Sequence, residues 1–287
     1  MLQFLNSLLN RIHRRWLYGT AAVLMAVGIG LATPRPSQAI GIWDLIFGGV
    51  QIIQATQITN MSVEQERDLG TQIDSQLKRQ GLRAYREDAA VDNYLDGIGQ
   101  RLAQTSDCPN VPFTFQVVPD DSVNAFATAG GYVYIQTGLM READNEAELA
   151  GVVAHEIGHI CGRHGLNQMK NQAIAQGIMT AAGVRQDQLV NIGVQLAYSL
   201  PNSRGDETNA DERGFYNMGR AGYDQRGIRD FMQKLASGGS PPEFLSTHPN
   251  PANRVSHLNN LLNSSATPSS NAGMNNNQYQ AQINSLI

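Results

Sequence analysis

Within HEIGHICGRH (155–164) two histidines stand four residues apart, with a glutamate beside the first. On an α-helix a spacing of four leaves about 40° of rotation and about 6 Å of rise. His155 and His159 therefore face the same way and can bind one ion at adjacent positions, while Glu156 is set to take a proton from an attacking water. Two imidazoles are too few, so a third ligand must come from elsewhere in the chain. A solvated face carrying two unrelated histidines is the rival reading. Val152, Val153, Ile157 and Ile160 argue against it, because they imply a buried helix, where unpaired histidines are costly.

His164 is the nearest candidate. In the pattern HExxHxxGxxH, Gly162 fits, but the final histidine would be residue 165, which is Gly. On a continuing helix His164 would lie about 140° from His159, so a structural or capping role is expected. A better source is SRGDETNADERG (203–214), where Glu207 and Asp211 form a second pair four apart on a predicted helix. Glu207 would complete a His2Glu set with one position left for water, as catalytic zinc requires. Asp211, on the same face, would accept the other ring N–H of a ligand histidine. Asp206 and Glu212 make a plain acidic surface the rival, which loses only because HExxH needs one more anionic ligand.

These side chains need elements to hold them. SVEQERDLGTQIDSQL opens with Ser62 and Gln65 as a capping box. VDNYLDGIGQRLAQ repeats Val91, Tyr94, Leu95, Ile98 and Leu102 at helical spacing. FTFQVV (113–118) and YVYIQT (132–137) alternate like strands, with turn residues between them. Asn145 and Glu148 form a capping pair for the HExxH helix, and residues 167–200 read as mostly helical with breaks at Gly177 and Gly183. The expected fold class is α+β, mostly helical, with a small β-sheet next to the HExxH helix. NAFATAGG (124–131), beginning with Asn124, Ala125 and Phe126, would present a strand edge to which an extended peptide adds by main-chain hydrogen bonds.

Four motifs in order, NAFATAGGYVYIQTGL, NEAELAGVVAHEIGHICGRH, SRGDETNADERG and STHPNPANR, make residues 61–262 similar to the zinc metalloproteases typified by HtpX and BepA, related to the CAAX prenyl proteases. The resemblance implies a catalytic domain over 61–262, one Zn2+ per chain on His155, His159 and Glu207, Glu156 as general base and Asp211 behind the ligands. It also implies catalytic roles for His248 and Arg254: His248 approaching the metal or steadying the tetrahedral intermediate, Arg254 pairing with the oxyanion. A helix-capping His-Pro turn and a salt-bridged arginine stand open beside those roles. The chain departs from the family pattern at Ala129, where Pro is usual, and at Asn209; neither position is an expected ligand.

The N-terminus sets the compartment. Arg11, Arg14 and Arg15 precede the apolar run Trp16 to Thr33, and Ser37 and Ala39 fit a cleavage site, so residues 1–39 read as a signal peptide, with an uncleaved anchor as the alternative. That leader holds four arginines and no acids, so its removal takes the formal charge from −4 to −8. An acidic chain without a basic cluster beyond the leader excludes a nucleic-acid binder. Residues 40–60 are apolar, and packing on the domain or peripheral membrane contact through 40–55 both stay open. Cys108 and Cys161 could pair in an oxidising compartment or remain apart. Residues 263–287 carry no Lys, Arg, Asp or Glu and read as a disordered polar tail. The implied function is a zinc endopeptidase, periplasmic or otherwise extracytoplasmic, acting on unfolded or misassembled exported proteins. The alternative is a zinc-dependent chaperone or assembly factor with latent protease activity.

Overall fold

A computed structural model describes residues 52–199, 202–238, 243–249, 251–264 and 270–286. Residues 1–51, and with them the expected signal peptide over 1–39, lie outside the described residues. The chain enters with β1 (Ile52–Ile53) and α1 (Ala55–Thr59), followed by the long helices α2 (Val63–Arg79) and α3 (Ala89–Thr105). Strands β2 (Thr114–Val118), β3 (Ala125–Thr128) and β4 (Tyr132–Gln136) come next, then α4 (Thr137–Glu142) and α5 (Glu146–Cys161), which carries HExxH. After α5 come α6 (His164–Ala175), β5 (Val184–Arg185), α7 (Gln186–Ser199) and α8 (Arg204–Arg220). The last elements are α9 (Arg226–Ser237), α10 (Glu243–Thr247), α11 (Pro251–Ser264) and α12 (Asn276–Gln282). The α+β class and the small sheet beside the HExxH helix are as expected.

The caps form where the side chains dictate. Ser62 Oγ accepts from Gln65 N at 3.2 Å while Gln65 Oε1 accepts from Ser62 N at 3.0 Å, closing the box at the start of α2. Asn145 Oδ1 accepts from Glu148 N at 3.1 Å, and Glu148 reaches back to Asp144 N rather than to the cap residue itself. Gly177 and Gly183, both at positive φ, bracket the turn between α6 and β5.

The three-stranded sheet runs β2-β4-β3, with β2 parallel and β3 antiparallel to β4. Alternation along the strands divides the apolar side chains between two cores. Val117, Ala125, Val133 and Ile135 face a core shared with α3, α5, α8 and α9. Val118, Phe126 and Tyr134 face a second core shared with α2, α6 and α7. Residues 52–60 pack on the body: β1 pairs with β5, and Ile58 is fully buried. Among the described residues no helix is long and apolar enough to cross a membrane.

One expectation is revised, and one question the sequence left open is answered. The tail reading fails for residues 270–286: Gly273 O accepts from Ala147 N at 2.9 Å, the Tyr279 hydroxyl donates to Met140 O at 2.5 Å, and Tyr279 and Ile283 are buried in the main core. Composition averages hid this, because two apolar residues four apart on one helical turn suffice to anchor a segment when a groove is ready for them. The cysteines, left open on sequence, form a Cys108–Cys161 disulfide with Cα atoms 5.5 Å apart, tying the turn after α3 to the end of α5.

The site helix α5 is buried continuously from Ala147 to Ile160 and meets α8 at backbone distance. A Cβ on Gly158 would lie 2.7 Å from Ala210 O, and one on Gly214 would lie 3.0 Å from His155 N. Gly158→Ala gains about 1 kcal/mol of helix propensity but must force α8 outward. The expected net result is a loss of about 1–3 kcal/mol in thermal or urea denaturation. Replacing both cysteines by serine removes a link across 53 residues. That change should cost about 2–4 kcal/mol, read as a lower urea midpoint.

Candidate metal centre

Four elements deliver the polar side chains to one buried spot. Helix α5 supplies His155, Glu156 and His159, and α8 supplies Glu207 and Asp211. Ser203 Oγ caps α8 by accepting from Asp206 N at 3.1 Å, which puts Glu207 in the first helical turn, where the dipole favours a carboxylate. His248 comes from the turn after α10, and Arg254 from the first turn of α11. All seven are buried, the least so being His159 at 6% exposure.

His155, His159, Glu207 and His248 each offer one ligand atom, and these atoms lie within 4.8 Å of one another. His155 Nε2 is 3.0 Å from His159 Nε2 and 3.3 Å from His248 Nδ1. Glu207 reaches His155 Nε2 at 3.5 Å, His159 Nε2 at 3.3 Å and His248 Nδ1 at 3.2 Å. Asp211 Oδ1 sits on the far side of His155, 3.0 Å from Nδ1. Arg254 holds Asp211 with both Nε (2.8 Å) and Nη2 (2.6 Å), and its Nη1 lies 2.6 Å from Glu207 Oε2.

The electrostatics are those of a cation site. Glu156, Glu207 and Asp211 are three buried carboxyl groups against one buried guanidinium, set among the imidazoles of His155, His159 and His248. Burial would raise Glu207, but His248, Arg254 and the hydrogen bonds from His155 and His159 outweigh it and hold the carboxyl well below the usual range. Asp211 is held low in the same way, burial being overcome by Arg254 and His155. Glu156 is pushed up by burial, against the pull of His248 and His155. Burial and the Arg254 charge lower His155, yet Asp211 and Glu207 more than compensate and raise it to about 9. Burial drives His159 down to about 3, aided by the His155 charge. His155 Nε2 and His159 Nε2 face each other at 3.0 Å. A divalent cation fits a donor set of buried imidazoles and a carboxylate. The Glu156 Oε1 atom, buried without a hydrogen-bond partner and 3.5 Å from His248 Nε2, adds an acceptor beside the cluster.

The structure brings together all the expected ligand and catalytic positions, Arg254 among them. The Arg254 guanidinium pairs with Asp211 and lies against Glu207, the contacts of the salt-bridged reading. His248 projects its ring into the cluster, stacked on Phe244 at 4.2 Å between centroids. His164 stays out of the ligand set, as expected, though for a different reason: α5 breaks at Arg163, at φ 54°, and the His164 ring folds back beneath His159. Burial lowers the His164 pKa. Asn124, Ala125 and Phe126 turn their side chains inward. Asn124 Oδ1 accepts from Ala125 N, Ala125 is fully buried, and Phe126 stacks on Tyr134. A peptide there would meet the main chain of β3, whose outer edge is paired with no strand among the described residues. The end of that strand borders the site, since Ala127, Thr128 and His159 line one small cavity of about 20 Å³. Sequence reasoning missed Asn202, whose Nδ2 is 3.4 Å from both His159 Nε2 and His248 Nδ1. No spacing signals it, because it precedes its helix and is brought in by a backbone bond from its N–H to Thr247 O.

This arrangement has relatives. The chain is 32% identical over 220 residues to the beta-barrel assembly-enhancing protease of Yersinia pestis, covering 71% of this chain and 45% of that protein. It is 28% identical over 207 residues to the metalloprotease YcaL of Escherichia coli (strain K12), covering 69% and 76% respectively. It is 36% identical over 152 residues to the mitochondrial metalloendopeptidase OMA1 of Arabidopsis thaliana, covering 51% and 31%. The chain thus spans less than half the length of the assembly-enhancing protease it matches. The model of peptidase family M48 matches residues 89–262, a stretch that contains the HExxH helix, the Glu207 helix, His248 and Arg254, and the chain belongs to that family of metal-dependent peptidases.

Proposed function

We propose that the chain is a zinc-dependent endopeptidase cleaving unfolded or misassembled exported proteins, with one zinc held by His155, His159 and Glu207. The observation that carries this reading is the buried cluster of four ligand atoms within 4.8 Å, with the Glu156 carboxylate alongside. Two imidazoles and one carboxylate are the donor set of catalytic zinc. When bound, the ion supplies Lewis acidity, making water more acidic and a carbonyl more electrophilic.

Glu156 takes the proton of the attacking water and delivers it to the leaving amine. Its burial raises its basicity toward the working pH, which suits that double duty. Asp211 orients His155 through Nδ1, and Arg254 holds Asp211 and Glu207 against swinging away. The main-chain edge of β3 supports addition of an extended peptide with little side-chain selection, a mode suited to unfolded chains. The leader at 1–39 supports an exported, periplasmic or otherwise extracytoplasmic location. The names of the beta-barrel assembly-enhancing relatives support envelope protein quality control as the setting.

A second reading has its own observation. His248 Nδ1 lies 3.2 Å from Glu207 Oε1 and 3.3 Å from His155 Nε2, so its ring is placed to act as a fourth ligand beside His155, His159 and Glu207. That contact favours a zinc-dependent chaperone or assembly factor with latent protease activity. Incubation with unfolded casein separates the readings. Cleavage is expected to stop with a chelator and return with zinc, and Glu156→Gln should slow it by about 10²–10⁴-fold at unchanged zinc content and melting temperature. Chelator-insensitive cleavage would overturn the metal mechanism. An assembly activity untouched by Glu156→Gln would favour the second reading.

A further inference from the structure

The two histidines of α5 differ in what stands behind them. His155 turns Nδ1 to the Asp211 carboxylate at 3.0 Å. His159 turns Nδ1 to another imidazole, with His164 Nδ1 at 2.9 Å, the rings nearly perpendicular and both buried.

The chain is built to make this contact. Helix α5 ends at Cys161, and Arg163 takes the left-handed conformation at φ 54° and ψ 30°, which costs a non-glycine residue about 1–2 kcal/mol. The guanidinium of Arg163 anchors that turn, donating to Thr59 O at 2.9 Å and Met61 O at 2.8 Å and lying 3.4 Å from Glu66 Oε2. Gly162 leaves the space: a Cβ there would lie 2.4 Å from His164 Nε2.

The direction of the hydrogen bond follows from the ligand cluster. A nitrogen can bind a metal only through a free lone pair, and His159 Nε2 is the atom that faces His155 Nε2 and Glu207 Oε1. Its proton therefore belongs on Nδ1, and His164 Nδ1 must accept it. His164 then carries its own proton on Nε2, on the side of Asp206 Oδ1 at 3.7 Å, where the carboxylate field favours it. Asp206 directly precedes Glu207 on α8, so one helix supplies both a ligand and the far end of this support.

Resting on the metal reading above, we propose that His164 is a positioning residue: it accepts the Nδ1–H of His159 and so fixes the tautomer and ring orientation that present Nε2 to the metal. A carboxylate in its place would bring a fourth negative charge into a region that already holds three against one arginine. A neutral imidazole gives the same directional hydrogen bond without that charge.

The test compares wild type, His164→Leu and His164→Asn. Zinc affinity is measured by competition with a chromophoric chelator, and the zinc-free melting temperature by calorimetry. Leu removes the acceptor, and the zinc Kd is expected to rise about 10–100-fold. Asn keeps an amide oxygen at the position of Nδ1 and should recover most of that loss. ¹⁵N spectra of the zinc-loaded wild type should report His159 protonated at Nδ1. Equal zinc affinity in the Leu variant, or an unprotonated His159 Nδ1, overturns the proposal while leaving the metal site standing. If the Leu variant does not fold, the wild type decides through the ¹⁵N–¹⁵N coupling across the His159 Nδ1–His164 Nδ1 hydrogen bond, whose absence in the zinc-loaded protein overturns the proposal. A wild type that binds no zinc overturns the metal reading and this inference with it.

Discussion

Helices α5 and α8 touch backbone to backbone at Gly158 and Ala210 and again at Gly214 and His155, and the chemistry of the molecule depends on that contact. An ordinary helix pair keeps its axes about 8–10 Å apart, at a distance set by the side chains between them. Glycine at both crossings removes that spacer. The short carboxylates of Glu207 and Asp211 can then reach opposite nitrogens of one imidazole, Oε2 toward Nε2 and Oδ1 toward Nδ1 of His155. With larger residues at the crossings, an acidic pair on α8 would stop short of the histidines.

Close approach creates an electrostatic debt that the rest of the site is arranged to meet. Burying an unpaired carboxylate costs several kcal/mol, and here three are buried within one cluster. Arg254 offsets one charge, and its geometry matters as much as its sign. The bidentate contact with Asp211 leaves Nη1 directed at Glu207, so a single guanidinium braces both acids of the α8 pair. The carboxylate of Glu207 and the imidazoles of His155, His159 and His248 remain as a donor set that a divalent cation fits. Glu156 takes no part in this bracing, and its Oε1 lies 3.5 Å from His248 Nε2.

How much of this was legible in the sequence depends on the range of the interaction. His155 with His159, and Glu207 with Asp211, are pairs set by helical periodicity, so their geometry could be read from spacing alone; that the two pairs meet had to be inferred from the needs of a metal. The strands and the caps at Ser62 and Asn145 are local in the same sense. The Cys108–Cys161 bond, the Asn202 contact and the seating of Tyr279 are long-range, and nothing in the neighbouring residues encodes the partner. His164 failed differently. Extending α5 by periodicity turned it away from His159, whereas the left-handed Arg163 reverses the chain, and that reversal depends on carbonyls of Thr59 and Met61 a hundred positions earlier.

The same long-range contacts explain why α5 is a fit platform for chemistry. Catalytic constellations must be held within about 0.5 Å of working geometry, which demands elements that cannot rotate or slide. At its C-terminal end α5 is tethered by the Cys108–Cys161 bond and stopped by the Arg163 turn. At its N-terminal end the Asn145 cap is joined by Gly273 O, which accepts from Ala147 N, and by Tyr279, which hydrogen-bonds to Met140 in the preceding helix. The segment whose composition suggested disorder is therefore part of the clamp on the HExxH helix. Its two buried anchors act on the site from the far end of α5, through the rigidity of that helix and without touching a ligand.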